Sequence, residues 1–110
     1  MEGGCTCRAV RYRLTSAPMF VHCCHCRWCQ RETGSAFALN AILEREAVEV
    51  IAGTTTLVET PSNSGRGQQI ARCPTCFIAL WSHYSRPART TATSPGWRRS
   101  SPGCRTRSQA

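Results

Sequence analysis

The chain has 110 residues, one domain's worth, with 41% hydrophobic and only 7% aromatic residues, so apolar burial alone gives thin support for a fold. Nine cysteines point to a second source of cohesion. The net charge is +8, but six of the 14 basic residues, all of them Arg, lie in residues 86–110 with no acid among them; the excess is a terminal segment rather than a basic face, which argues against nucleic acid as partner.

In chain order, Val10, Tyr12 and Leu14 alternate with Arg11 and Arg13, as in a half-buried strand. Ala17-Pro18 breaks that run, and Met19 to Cys23 is a second short strand leading into a cysteine cluster. A short helix is expected near Trp28 to Thr33, ended by the Thr33-Gly34 turn signal. Phe37, Leu39, Ala41 and Leu43 recur at period two, a third strand; Val48, Val50 and Ile51 continue in β-rich composition up to Gly53. Thr54 to Thr60 is β-branched and extended, and Pro61 to Gly67 is a loop. Gln69 to Arg72 leads into Cys73, and Phe77 to Tyr84 is the last apolar stretch. Residues 86–110 contain no Val, Ile, Leu, Met or Phe, so they form an Arg/Ser/Pro-rich tail expected to be disordered beyond a domain of residues 1–85. No apolar run approaches the roughly 20 residues that span a bilayer. The opening Met1-Glu2-Gly3-Gly4-Cys5 lacks the basic start and apolar stretch of a signal peptide, so the expected location is cytoplasmic.

The cysteines fall as Cys5-x-Cys7, Cys23-Cys24-x-Cys26-x-x-Cys29 and Cys73-x-x-Cys76, with Cys104 alone. Paired cysteines at such spacing let two thiolates reach one ion from a tight turn. Two pairs far apart in sequence make one closed four-sulfur site, clipping the first strand to the third block. A disulfide framework fits poorly, because the count is odd and no secretion signal is seen. A redox Cys-x-x-Cys needs a βαβ context that this chain lacks.

Gly3-Gly4-Cys5-Thr6-Cys7, Val10-Arg11-Tyr12, the run from Cys24-His25-Cys26-Arg27-Trp28-Cys29 through Gln30-Arg31-Glu32-Thr33-Gly34-Ser35-Ala36-Phe37, and Arg72-Cys73-Pro74-Thr75-Cys76 resemble the GFA family. This is the glutathione-dependent formaldehyde-activating enzyme family, with the centromere protein V relatives. The resemblance spans about residues 3–84. It implies a mainly β, zinc-containing β-tent fold of antiparallel sheets with zinc knuckles, and two zinc ions per chain. By motif position it implies Cys5, Cys7, Cys73 and Cys76 as structural zinc ligands, and Cys24, Cys26 and Cys29 as ligands of a catalytic zinc. The chain departs from the family in residues 86–110, and at Arg8 and Phe77, where many members carry Gly; both knuckles are therefore expected to differ slightly in backbone.

The residues agree with that division, since three protein ligands leave zinc one open position. Cys23, next to Cys24 in an extended segment, is expected to point to the opposite face, and His25 to point away from the metal and orient the knuckle by a local hydrogen bond. The implied activity is that of a carbon–sulfur lyase joining a glutathione-like thiol to an aldehyde such as formaldehyde. Arg27, Arg31 and Arg66 are candidate partners for the thiol's carboxylates, although each reads first as a solvated surface residue, and Trp28 reads as core packing. The rival readings are a non-catalytic zinc-binding module and a truncated, inactive family member.

Overall fold

The computed structural model describes residues 1–83 and 89–92. Among these residues, nine strands and one short helix follow in the order β1 (Glu2–Gly4), β2 (Arg11–Leu14), β3 (Phe20–Cys24), α1 (Arg27–Thr33), β4 (Ala38–Glu44), β5 (Val48–Ala52), β6 (Thr56–Thr60), β7 (Gln68–Arg72), β8 (Ala79–His83) and β9 (Arg89–Ala92). A 3-10 turn, Arg45–Ala47, joins β4 to β5. The strands form a three-stranded sheet, β1-β2-β5, and a six-stranded sheet, β3-β4-β9-β8-β7-β6, antiparallel at every described pairing. The expected antiparallel β architecture is present. No helix among the described residues is long and apolar enough to cross a membrane.

The core lies where the two sheets meet. Tyr12 and Leu14 of β2 pack with Ala41 and Leu43 of β4, Ala71 of β7, and Leu80 and Trp81 of β8. Tyr12 stands edge-on to Trp81, with ring centroids 5.5 Å apart and planes at 80°, a favoured aromatic arrangement. β1 fits beneath Tyr12 because its residues are Gly: a Cβ on Gly3 would come within 2.6 Å of the Tyr12 ring, and one on Gly4 would collide with the Val10 carbonyl oxygen. These two glycines let the chain before Cys5 lie against β2 and deliver Cys5 to the end of that strand.

The period-two run in β4 is only half of what its burial requires. Ala41 and Leu43 do face the intersheet core, but Leu39 and Phe37 on the same alternation are exposed, while Ala38, Asn40 and Ile42 on the other face are buried. β4 is an interior strand covered on both faces around its middle, which alternation alone does not reveal.

Arg89–Ala92 lie beyond the domain limit of residue 85 expected from the sequence. These residues form β9, which pairs with β4 on one side and β8 on the other. A strand flanked on both edges satisfies its backbone groups without needing apolar side chains, and Thr90-Thr91 has the branching that suits extended backbone. The rest of the expected tail, with residues 84–88, lies outside the described residues.

Candidate metal centres

Two groups of cysteines converge. Cys5, Cys7, Cys73 and Cys76 form one and Cys24, Cys26 and Cys29 the other; within each, all Sγ atoms lie within 4.8 Å of one another. Both groups coincide with the sets taken from the sequence.

The four-thiol corner is made of two turns of matching design. In the first, after β1, the Arg8 N–H donates to the Cys5 carbonyl at 3.1 Å, and the Cys5 N–H donates to Val10 at 3.1 Å. In the second, after β7, the Phe77 N–H donates to the Cys73 carbonyl at 2.9 Å, and the Cys73 N–H donates to Ile78 at 3.1 Å. Each turn closes through a residue in the left-handed region, Arg8 at φ 66° and Phe77 at φ 60°. Arg8 and Phe77 thus hold a conformation that favours glycine.

Sulfur spacing fits one tetrahedral ion. Cys5 to Cys7 is 3.5 Å and Cys7 to Cys73 is 3.6 Å between Sγ atoms. Four sulfurs about 2.3 Å from a central zinc would stand about 3.8 Å apart. Backbone N–H groups also aim at the sulfurs, Val10 at Cys5 (3.3 Å) and Thr75 at Cys73 (3.4 Å), and such donors favour thiolate. The Cys76 and Thr75 N–H groups hold the Cys73 thiol below its ordinary pKa, and those of Cys7 and Ile78 do the same for Cys76. Burial pushes Cys5 up, but the Val10 N–H and the Cys7 and Cys73 thiols outweigh it and the net shift is downward. Cys7 is the exception. The Ala9 N–H lowers it, yet the Cys5 thiol, burial and the Cys73 and Cys76 thiols together push it up to about 12. Three of the four thiols are thus shifted toward the thiolate and Cys7 is shifted away from it.

The three-thiol group forms where β3 runs into α1. Cys24 is the last residue of β3 and lies opposite Ala38 of β4, and the three cysteines pack with Ala38 as a small buried cluster. Cys26 is the N-cap of α1: its backbone is extended (φ −68°, ψ 157°) and its Sγ accepts the Cys29 N–H at 3.4 Å. A cysteine thus takes the capping role usually filled by Ser, Thr, Asp or Asn. Gly34, at φ 65°, ends the helix as a left-handed cap without strain. Cys24 is disulfide-bonded in the structure, so its use as a ligand requires the reduced thiol.

Around these groups, Cys23 is a half-buried free thiol opposite Leu39 and outside the cluster, on the face opposite Cys24 as expected. His25 is also outside it, but the expected orienting hydrogen bond is not made at Nδ1, which is buried without a partner; its ring instead tilts against Phe37 with centroids 5.5 Å apart. Trp28, read as core packing, is 37% exposed. Arg27, Arg31 and Arg66 are exposed. Among the described residues, two buried polar side chains without a hydrogen-bond partner escaped the sequence reading. Asn40, 0% exposed, has no hydrogen-bond partner at either amide atom, and Ser82, 2% exposed, has none at Oγ. The only hint of Asn40 in the sequence is one amide within an apolar strand.

Residues 1–102 match the sequence profile of the family described as glutathione-dependent formaldehyde-activating enzyme. The match runs beyond the expected limit near residue 84 and takes in β9. A crystal structure of a Rhodobacter sphaeroides protein from structural genomics, 22% identical, superposes with a TM-score of 0.60 over 84% of this chain and 83% of that one, a likeness of fold. No curated protein matches the chain.

Proposed function

Because the chain belongs to the glutathione-dependent formaldehyde-activating enzyme family, we propose that it is a zinc-dependent carbon–sulfur lyase, forming and cleaving the adduct of a glutathione-like thiol with formaldehyde. The observation that carries this reading is the contrast in donor number: one group brings together four cysteine sulfurs and the other, with Cys24 reduced, three. Four protein ligands complete a tetrahedral ion, whereas three leave a place for substrate.

Bound at the three-thiol group, zinc would supply the charge that keeps a substrate thiol ionised near neutral pH, well below the ordinary thiol pKa of about 8.5. Cys24, Cys26 and Cys29 would hold that ion against Ala38, and the Cys29 N–H on Cys26 Sγ steadies the ligand's negative charge. In the forward direction the thiol sulfur bonds to the aldehyde carbon, the carbonyl π pair passes to oxygen, and the thiol proton ends on that oxygen. The reverse breaks the same carbon–sulfur bond. Arg27, Arg31 and Arg66 are exposed guanidinium groups that would pair with the thiol's carboxylates. Water access is limited on the protein side, since Cys24, Cys26 and Cys29 are all buried.

Glutathione and its S-methyl analogue separate this reading from a purely structural module. Glutathione should bind the zinc-loaded protein with release of a proton and raise sulfur coordination in zinc K-edge absorption. The S-methyl analogue, with no ionisable thiol, should bind far more weakly. Equal binding of the two would show that recognition bypasses the three-thiol group and would end the lyase reading.

A further inference from the structure

Cys24 cannot serve as a thiolate ligand in the state the structure records. Its sulfur is in a disulfide, whereas Cys26 and Cys29 beside it, and every other cysteine of the described residues, are present as thiols. A disulfide needs two sulfurs. The chain has nine cysteines, and the one remaining is Cys104, outside the described residues and unused by the proposed function. The direction of β9 suits this pairing. Its register on β4 runs from Arg89 opposite Glu44 to Ala92 opposite Ala41, so the chain leaves β9 heading toward the Ala38 end of β4. Ala38 lies opposite Cys24 and packs with the three-thiol cluster. From Ala41 to Ala38 is three residues of strand, about 10 Å. Cys104 follows Ala92 by 12 residues, and a chain of that length spans up to about 40 Å.

We propose that Cys104 and Cys24 form a disulfide that excludes zinc from the three-thiol group, so that this group is switched by oxidation while the four-thiol corner, whose cysteines are all thiols, keeps its ion. The oxidant is a soluble disulfide such as oxidised glutathione. Burial sets the order of events. Cys24 is 0% exposed, so a dissolved disulfide does not meet its sulfur first. Cys104 is flanked in sequence by Arg98, Arg99, Arg105 and Arg107, with no acid in residues 86–110, a charge that attracts the carboxylates of oxidised glutathione. The Cys104 thiolate attacks one sulfur of the oxidant, and one glutathione thiolate leaves. The Cys24 sulfur then attacks the Cys104 sulfur of the mixed disulfide, and the second glutathione thiolate leaves. Two protein thiols give up two electrons and two protons, and the oxidant takes them as two glutathione thiols. Only Cys26 and Cys29 then remain as ligands, fewer than the three or four that zinc sites use. The inference rests on the three-thiol group being a metal site, and it is independent of the lyase step.

The test loads the full chain with zinc under reducing conditions, removes the reductant and adds oxidised glutathione. Native mass spectrometry should show the count fall from two zinc ions to one, and non-reducing peptide mapping should recover Cys24 linked to Cys104. Reductant with added zinc should restore the second ion. Under the same oxidant, Cys104→Ser should release that ion at least about tenfold more slowly, because nothing then carries the oxidation to the buried Cys24. Cys23→Ser, which changes a half-buried thiol outside the cluster, should behave as the wild type. Recovery of Cys24 linked to any other cysteine, or to Cys104 of a second chain, would overturn the proposal. Equally fast zinc loss from Cys104→Ser and wild type would overturn it as well. Retention of both ions by the oxidised wild type would sink the switch and leave the lyase reading standing. A reduced protein that takes up one zinc only would end the metal reading of the three-thiol group, and both proposals with it.

Discussion

The two cysteine groups are built from opposite kinds of chain. In the four-thiol corner, Cys7 and Cys73 stand 66 residues apart in sequence with their sulfurs 3.6 Å apart, one following the small sheet's first strand and the other directly following β7 of the large sheet. The three-thiol group is assembled within residues 24–29, at one strand-to-helix junction. Closing the long loop costs more chain entropy than closing the short one, so an ion bound at the corner would hold the fold together. The local group is already shaped by β3, the Cys26 cap and Gly34, and an ion there would have less folding work to do. An ion pair ties the two together: the Arg72 guanidinium, adjacent in sequence to Cys73, holds Glu32 of α1 and also donates to the Phe77 carbonyl at 3.1 Å.

The comparison breaks most readily at the ligands themselves. Structural zinc contributes about 10–16 kcal/mol in small zinc peptides, more than the whole stability of most domains. Cys5→Ser or Cys76→Ser should therefore leave the chain unfolded or aggregated, seen as loss of a cooperative thermal transition. Cys24→Ser should keep that transition, lower the zinc count by native mass spectrometry from two ions to one, and abolish thiol-dependent turnover. Equal loss of thermal stability at both groups would show that the division into closed and open sites is wrong.

The two thiol groups were legible in the sequence because paired cysteines at short spacing carry their chemistry in their separation, and β2 to β6 were legible from alternation and β-branched composition, whereas β7 and β8 showed only as segments flanking the last cysteine pair. Other features needed the third dimension. β1 has three residues, two of them Gly, and no apolar pattern; it exists because Tyr12 and Val10 leave room only for glycine. β9 lies in a stretch without aliphatic residues and is placed by the open edges of β4 and β8. Asn40 could be read as a polar residue in a strand, but not as one whose partners are missing. The Arg72–Glu32 pair spans 40 residues, and no local spacing announces it.

That pair supplies a finer test. Its side chains are 22% and 18% exposed, between the surface and interior limits, so breaking it should cost about 1–2 kcal/mol. Glu32→Gln leaves the Arg72 bond to Phe77 in place and takes the negative charge from the tie to α1. We expect a drop of several degrees in melting temperature and weaker zinc retention at the three-thiol group than at the corner during titration with a chelator. Parallel loss from both groups would mean that the ion pair supports the whole sheet rather than linking one site to the other.

The smallest effect concerns backbone strain, which the two groups handle differently. The local group places its left-handed residue at Gly34, whereas the corner places its two at Arg8 and Phe77. A non-glycine residue in that region costs roughly 1–2 kcal/mol, partly offset because glycine loses more conformational freedom on folding. Arg8 is exposed and Phe77 is 67% exposed, so neither side chain contributes much packing to lose. The hydrogen bonds that close the turns, from the Arg8 and Phe77 N–H groups to Cys5 and Cys73, belong to the backbone and survive substitution. Arg8→Gly and Phe77→Gly should each stabilise the zinc-loaded protein by about 1 kcal/mol. Gly34→Ala should do the reverse: a Cβ there meets nothing within 4 Å, so the loss would come from the φ of 65° alone. Thermal unfolding of the three variants reads the sign directly. Destabilisation by Arg8→Gly and Phe77→Gly would mean that their side chains hold the corner in a way their exposure does not show.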